Sequence, residues 1–161
     1  MNIENAIKKL IFEFIKIHEE EINLNKFEDL YMYLNKNYTS LRTISAFTQV
    51  LLDAGINPIP YFTDIPKSFA AHLNLDKVDL PEGIYTIGVY SFFGSQINEL
   101  HLPHSLIEVL DHAFLFSEIN KVTYNGTKDE FYAIKGWDSS YLLEAAQQIE
   151  CKDGVIENEN H

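Results

Sequence analysis

The chain of 161 residues has a single cysteine, Cys151, so no disulfide can form within it. It is also short of positive charge. Twelve Lys and Arg stand against 24 Asp and Glu, for a net charge of −12. The deficit is uneven. Residues 1–60 carry eight acids and six bases, net −2, and residues 61–161 carry sixteen acids and six bases, net −10. Such a field repels DNA, RNA and anionic lipid. No apolar run approaches the roughly 18 residues of a membrane span. The opening stretch MNIENAIKKLIFEFIKIHEEE is broken throughout by acids and lysines and lacks a small-residue cleavage site, so it is not read as a signal peptide. The expected setting is cytoplasmic. No glycine-rich phosphate loop, nucleophile elbow or Cys/His cluster is present. An enzymatic role therefore has no residue set behind it, and no cofactor is expected.

What the sequence does have is apolar and aromatic material. Hydrophobic residues make up 46%, with nine Tyr and eleven Phe, enough for a bulky core. In residues 3–21 the positions Ile3, Ile7, Leu10, Ile11, Phe14 and Ile15 follow helical spacing. A second helix is predicted over 26–36, from Phe27, Leu30, Tyr31 and Leu34. A third begins at Thr39 or Ser40 as N-cap. It carries Leu41, Ile44, Phe47, Val50 and Leu51 on one face and closes at Gly55 in the left-handed conformation. Then INPIPYFTDIPKS brings Pro58, Pro60 and Pro66, which ends helical structure. Three helices raise the idea of a DNA reader. Lys36 and Arg42 are the only bases near the third helix, too few to hold phosphates. Residues 1–60 read instead as a helical N-terminal capping unit.

Beyond residue 70 the chain agrees with itself at a shift of 22 residues. Leu75, Ile97 and Ile119 align, as do Val78, Leu100 and Val122, then Leu80, Leu102 and Tyr124. Pro81 matches Pro103, Ile84 matches Leu106, Ile87 matches Val109, and Phe92 matches Phe114. The motif L-x-x-L-x-L stands as LDKVDL, INELHL and INKVTY. Its last apolar residues alternate along a short strand and point inward. The proline after it ends the strand, and the phenylalanine enters as a wedge. One unit cannot bury its apolar face alone, so units stack and their strands pair in parallel.

VDLPEGIYTIGVYSF and LHLPHSLIEVLDHAF resemble BspA-type leucine-rich repeats. The tail VTYNGTKDEFYAIKGWDSS…IECKDGVI resembles the segment that closes such arrays. The resemblance covers residues 64–156 and does not extend to residues 1–60. DIPKSFAAHLNL is read as a degenerate leading unit with Phe69 near the wedge position. The fold class that follows is α+β. A three-helix N-terminal unit precedes a short leucine-rich-repeat solenoid with a small parallel sheet and a C-terminal cap, and residues 157–161 form a frayed polar tail. The resemblance implies a curved solenoid and a binding role, in a bacterial or phage-infected cell, and names no ligand.

Within the repeat, His101 projects outward between Leu100 and Leu102, His104 follows Pro103 in the turn, and His112 precedes Ala113. They occupy three different parts of one unit, so no metal is expected there. The outward positions form two columns: Lys77, Glu99 and Lys121, and Asp79, His101 and Thr123. Adjacent strands lie about 4.8 Å apart, so the first column should form a charge ladder worth a few tenths of a kcal/mol per pair. These six residues are the expected partner-binding face. HEEE at 18–21 reads as a solvated helix end, Asn125-Gly126 as a turn, and Trp137 and Cys151 as core or cap. The expected function is a non-enzymatic protein-protein interaction module for a protein partner, with no direct nucleic-acid or membrane contact. The alternative is an acidic phage or mobile-element inhibitor that mimics nucleic acid in the basic groove of a host enzyme.

Overall fold

The computed structural model of the chain describes residues 24–38 and 40–158. The predicted helix over 3–21, the HEEE stretch, Thr39 and residues 159–161 lie outside the described residues, as do the side chains of residues 24–27.

Helix α1 spans Leu24–Asn37 and α2 spans Leu41–Asp53. The apolar stripes predicted for them are the faces they bury. Tyr31 and Leu34 of α1 and Ile44, Phe47 and Leu51 of α2 are buried, with Leu30 and Val50 packed at their margin. Ser40 holds the N-cap position of α2 without a side-chain cap hydrogen bond, unlike the expectation. The other end closes as expected. Gly55 takes φ +80°, its N–H donates to the Leu52 carbonyl at 3.0 Å, and the Ile56 N–H reaches the Leu51 carbonyl at 2.9 Å.

From residue 64 the chain coils. Three two-residue strands, β1 (Asp64–Ile65), β3 (Thr86–Ile87) and β5 (Glu108–Val109), form one parallel sheet. Three longer strands, β2 (Asn74–Asp79), β4 (Gln96–Leu102) and β6 (Glu118–Tyr124), form the parallel part of the other. Both sheets keep the register of 22. Leu75 pairs with Ile97 and Ile97 with Ile119, while Ile65 pairs with Ile87 and Ile87 with Val109. The inward residues of both sheets enter one buried cluster that runs from Tyr31 to Ile156.

Each coil carries its wedge. Phe92 and Phe114 stack with centroids 5.2 Å apart and planes 4° from parallel. In the leading coil the residue in register is Ala70, one place after Phe69. The Phe69 ring still meets Phe92, edge-on at 6.2 Å. Side chains stitch each coil to the next. The Thr86 hydroxyl donates to Asp64 at 2.5 Å, and the Ser105 hydroxyl donates to the Ile84 carbonyl at 2.8 Å while accepting from the Gly83 N–H at 3.0 Å.

Past β6, Thr127 caps helix α3 (Lys128–Tyr132) in a reciprocal capping box with Glu130. A 3-10 turn at Trp137–Ser139 and helix α4 (Leu142–Ala146) follow. Gly136, at φ +81°, lies so close to β5 that a Cβ there would stand 2.1 Å from the Val109 carbonyl oxygen. The segment then ends in two strands. β7 (Gln148–Cys151) joins β6 in parallel at Thr123 and Glu150, and β8 (Gly154–Glu157) folds back antiparallel on β7. Glu157 pairs with Gln148, so regular pairing reaches into the stretch expected to fray.

The outward face of the long sheet as candidate functional site

The L-x-x-L-x-L pattern turns two successive residues outward between the first and second apolar positions, and one between the second and third. In β2 the outward residues are Asp76, Lys77 and Asp79. In β4 they are Asn98, Glu99 and His101, and in β6 they are Asn120, Lys121 and Thr123. Parallel pairing aligns Lys77 with Glu99 and Lys121, and Asp79 with His101 and Thr123. All six residues predicted for a binding face line one shallow depression of about 300 Å³.

Its electrostatics differ from the expected ladder. The three charges are in register, yet among the described residues Glu99 forms no ion pair with either lysine. Lys121 instead reaches Glu150 of β7, at 3.9 Å, across two half-exposed side chains. The second column is more tightly joined, with His101 Nδ1 and Thr123 Oγ1 2.7 Å apart. Asp79 remains exposed at the edge of this column.

A third column, Asp76, Asn98 and Asn120, was not singled out from the sequence. The Asn98 amide donates to Asp76 at 3.2 Å, and the Asn120 amide donates to Asn98 Oδ1 at 3.0 Å. The same offset of 22 that aligned the apolar positions also aligns these three. Asp76, Asn98 and Asn120 border a second depression, of about 460 Å³, next to the first.

The turn after each long strand carries another cluster. The Glu82 carboxylate accepts from the His104 N–H at 2.8 Å, the Ser105 N–H at 2.9 Å and the Asn125 amide at 3.1 Å. Burial pushes this carboxyl up, and the hydrogen bonds from His104, Asn125 and Ser105 together outweigh it, so it sits below its ordinary range. His104 also pairs with Glu130. That bond, with the backbone and side-chain donors of Thr127, holds Glu130 down at about 2.

The three histidines of the unit thus have three sets of partners: Thr123 for His101, Glu130 for His104, and the rings of Tyr90 and Tyr141 for His112. Among the described residues no group of three His, Cys, Asp or Glu is placed to hold a metal ion. Trp137 packs against Phe131 and Tyr132, with centroids 5.7 and 5.4 Å away. The half-buried Cys151 thiol is pushed up by burial and then by Asp153, against the pull of Lys128. That shift lowers its thiolate content and its reactivity. No helix among the described residues is long and apolar enough to cross a membrane.

Parallel strands at a constant offset, an inward apolar ladder and an outward polar face are consistent with a leucine-rich repeat region. Residues 63–135 match the model of the BspA type leucine rich repeat region, in six copies. This repeat region belongs to the BspA-type leucine-rich repeat family. The matched residues take in the leading coil from Thr63 and end at Lys135, before the second part of the C-terminal cap. Compared with curated proteins and with solved structures, the chain shows no match.

Proposed function

We propose that this protein is a non-enzymatic protein-protein interaction module. In this reading its repeats form a short solenoid, and the outward face of the long sheet receives the partner. One observation carries it: Lys77, Asp79, Glu99, His101, Lys121 and Thr123 come from three strands to line one depression. Their side chains face solvent and mix both charges with hydrogen-bonding groups. Among the described residues Lys77 and Glu99 form no ion pair, so both charges are available to a partner. The face spans only a few strands. It supplies part of the roughly 800 Å² that a standard interface buries on each partner, and the helices or loops beside it supply the rest.

The acidic-inhibitor alternative rests on the net −10 of residues 61–161, and clustering of these acids on one face would support it. Asp76, Asp79 and Glu99 lie on the long sheet, whereas Asp64 and Glu108 lie on the short one. This distribution does not favour a nucleic-acid mimic.

The test is affinity capture with the tagged full chain from a host lysate, at low and high salt, beside the His101→Ala and Thr123→Ala variants. A partner that the native chain retains and both variants lose, with unchanged melting curves, supports the reading. Equal retention by the variants removes the strand face from it.

A further inference from the structure

The turn that leads each coil from the short sheet back to the long one holds two residues in the left-handed region. In successive coils these are Ser68, Tyr90 and His112, at φ 62°, 56° and 62°, and His72, Gly94 and Phe116, at φ 65°, 64° and 61°. Tyr141 of the cap, at φ 66°, extends the series. Only Gly94 adopts this region without steric strain. The other positions mostly carry rings, and these rings gather at the surface. His112 stacks between Tyr90 and Tyr141, with centroids 5.6 Å away on each side. Phe93 meets His72, Tyr90 and Phe116 edge-on at 5.2, 5.6 and 5.7 Å.

Phe116 is the telling member. It is 76% exposed, it is strained at φ 61°, and the coil before it uses glycine at the same place. The fold imposes this conformation on every coil, but it does not call for an exposed ring there, since Gly94 serves the coil before. Strained residues of this kind persist where a surface has a task. Charge indicates the partner. The turn and cap segments that carry most of the rings, residues 110–117 and 136–147, contain no Lys or Arg and three acids, Asp111, Asp138 and Glu144. Asp111 is fixed beside the stack, accepting from the Ser139 hydroxyl at 2.7 Å.

We propose that this ring-bearing edge docks an extended protein segment containing arginine. A guanidinium lies flat on the free face of Phe116 or Tyr141, where the ring quadrupole attracts it, and the acids along the edge take the remaining donors. The rings come from four successive levels of the stack. At about 4.8 Å per level the row is about 14 Å long, which fits roughly four residues of extended chain. This surface is distinct from the strand face and stands or falls separately from it.

The test uses the full chain and a synthetic peptide of alternating arginine and glycine, with a lysine-glycine peptide as control. Binding is followed by NMR of the aromatic side chains. The key variant is Phe116→Gly, which removes the ring, keeps the net charge and relaxes the backbone. Its melting temperature should rise, by about 2–4 °C, while its affinity for the arginine peptide falls about two- to fivefold. His101→Ala on the strand face should leave peptide binding unchanged. Three results overturn the proposal. The first is a lower melting temperature for Phe116→Gly, which makes the ring structural. The second is unchanged peptide affinity in that variant, which leaves charge alone as the cause. The third is a dimer of the free chain that Phe116→Gly abolishes, which assigns the edge to a second copy.

Discussion

The joint between the helices and the first coil rests on a buried chain of hydroxyls. Tyr31 of α1 bonds to Thr48 of α2, and Thr48 in turn donates to the Phe69 carbonyl at 2.6 Å. Both side chains are fully buried. Since Thr48 gives its proton to the carbonyl, Tyr31 must be the donor to Thr48. Burial, opposed only by that bond, pushes the Tyr31 hydroxyl far above its ordinary range, so it stays neutral. Thr48→Val keeps the shape and removes the link. It strands the Tyr31 hydroxyl and the Phe69 carbonyl, each at about 1–3 kcal/mol, so the variant should lose about 3 kcal/mol. Tyr31→Phe strands only a spare lone pair on Thr48 and should lose about 0.5–1.5 kcal/mol. The double variant leaves one orphan in place of two. It should therefore be more stable than Thr48→Val alone, by about 1–2 kcal/mol. Urea unfolding of the four proteins, read as midpoints at constant slope, measures the cycle. Additive losses in the double variant would show that Thr48→Val does not isolate the Tyr31 hydroxyl, and the reasoning would fail.

Two other residues give predictions of opposite kinds. Ser91 is fully buried and its hydroxyl has no partner among the described residues, while the next coil has Ala113 at the same place; Ser91→Ala should stabilise by about 1 kcal/mol, and a loss of stability in thermal unfolding would mean that the hydroxyl is satisfied. Glu130 is held at about 2, below its ordinary value of 4.5, so its contribution is complete above the ordinary value and disappears as pH falls through about 2. Glu130→Gln should flatten this acid limb in melting curves taken from pH 5 downward, and a limb of unchanged steepness would place the acid sensitivity elsewhere.

The repeat was legible because each inward position imposes one demand on every coil. Leu75, Ile97 and Ile119 are all apolar, since all three face one core, and their alignment fixed the register before any strand was seen. The same arithmetic placed Lys77, Glu99 and Lys121 in one column. It could not decide which charge each long side chain would choose, and Lys121 reaches Glu150 in a strand that the sequence did not resolve as one of two. Phe69 was one place out of register because its coil supplies the wedge ring from the neighbouring position. The left-handed turns were invisible for a different reason. Ser68, Tyr90, His112, His72 and Phe116 have no common preference for that region, and only Gly94 announces it. The stacking of whole coils imposes this conformation, and local propensity yields to it.

The aromatic content follows from the same geometry. A stacked coil offers its neighbour one flat wedge, and in the middle of the array Phe92 on Phe114 satisfies both sides. At an end there is no next coil, and a wedge would face water. The N-terminal end answers with a cluster: Tyr31 and Phe62 close on Phe69 at 5.6 and 5.7 Å, and Phe47 backs Tyr31 at 4.8 Å. The C-terminal end does likewise, with Phe131 set between Tyr124 and Trp137, 5.7 Å from each. Aromatic pairs of this kind are each worth about 0.5–1.5 kcal/mol beyond their buried area. The end clusters therefore hold more ring contacts than the central stack, which is what so short an array requires, since its ends are a large fraction of its core. The buried residues of α1 and α2 belong to the same cluster as those of the coils. Without these helices Phe69 would be the exposed face of a stack with nothing to close it.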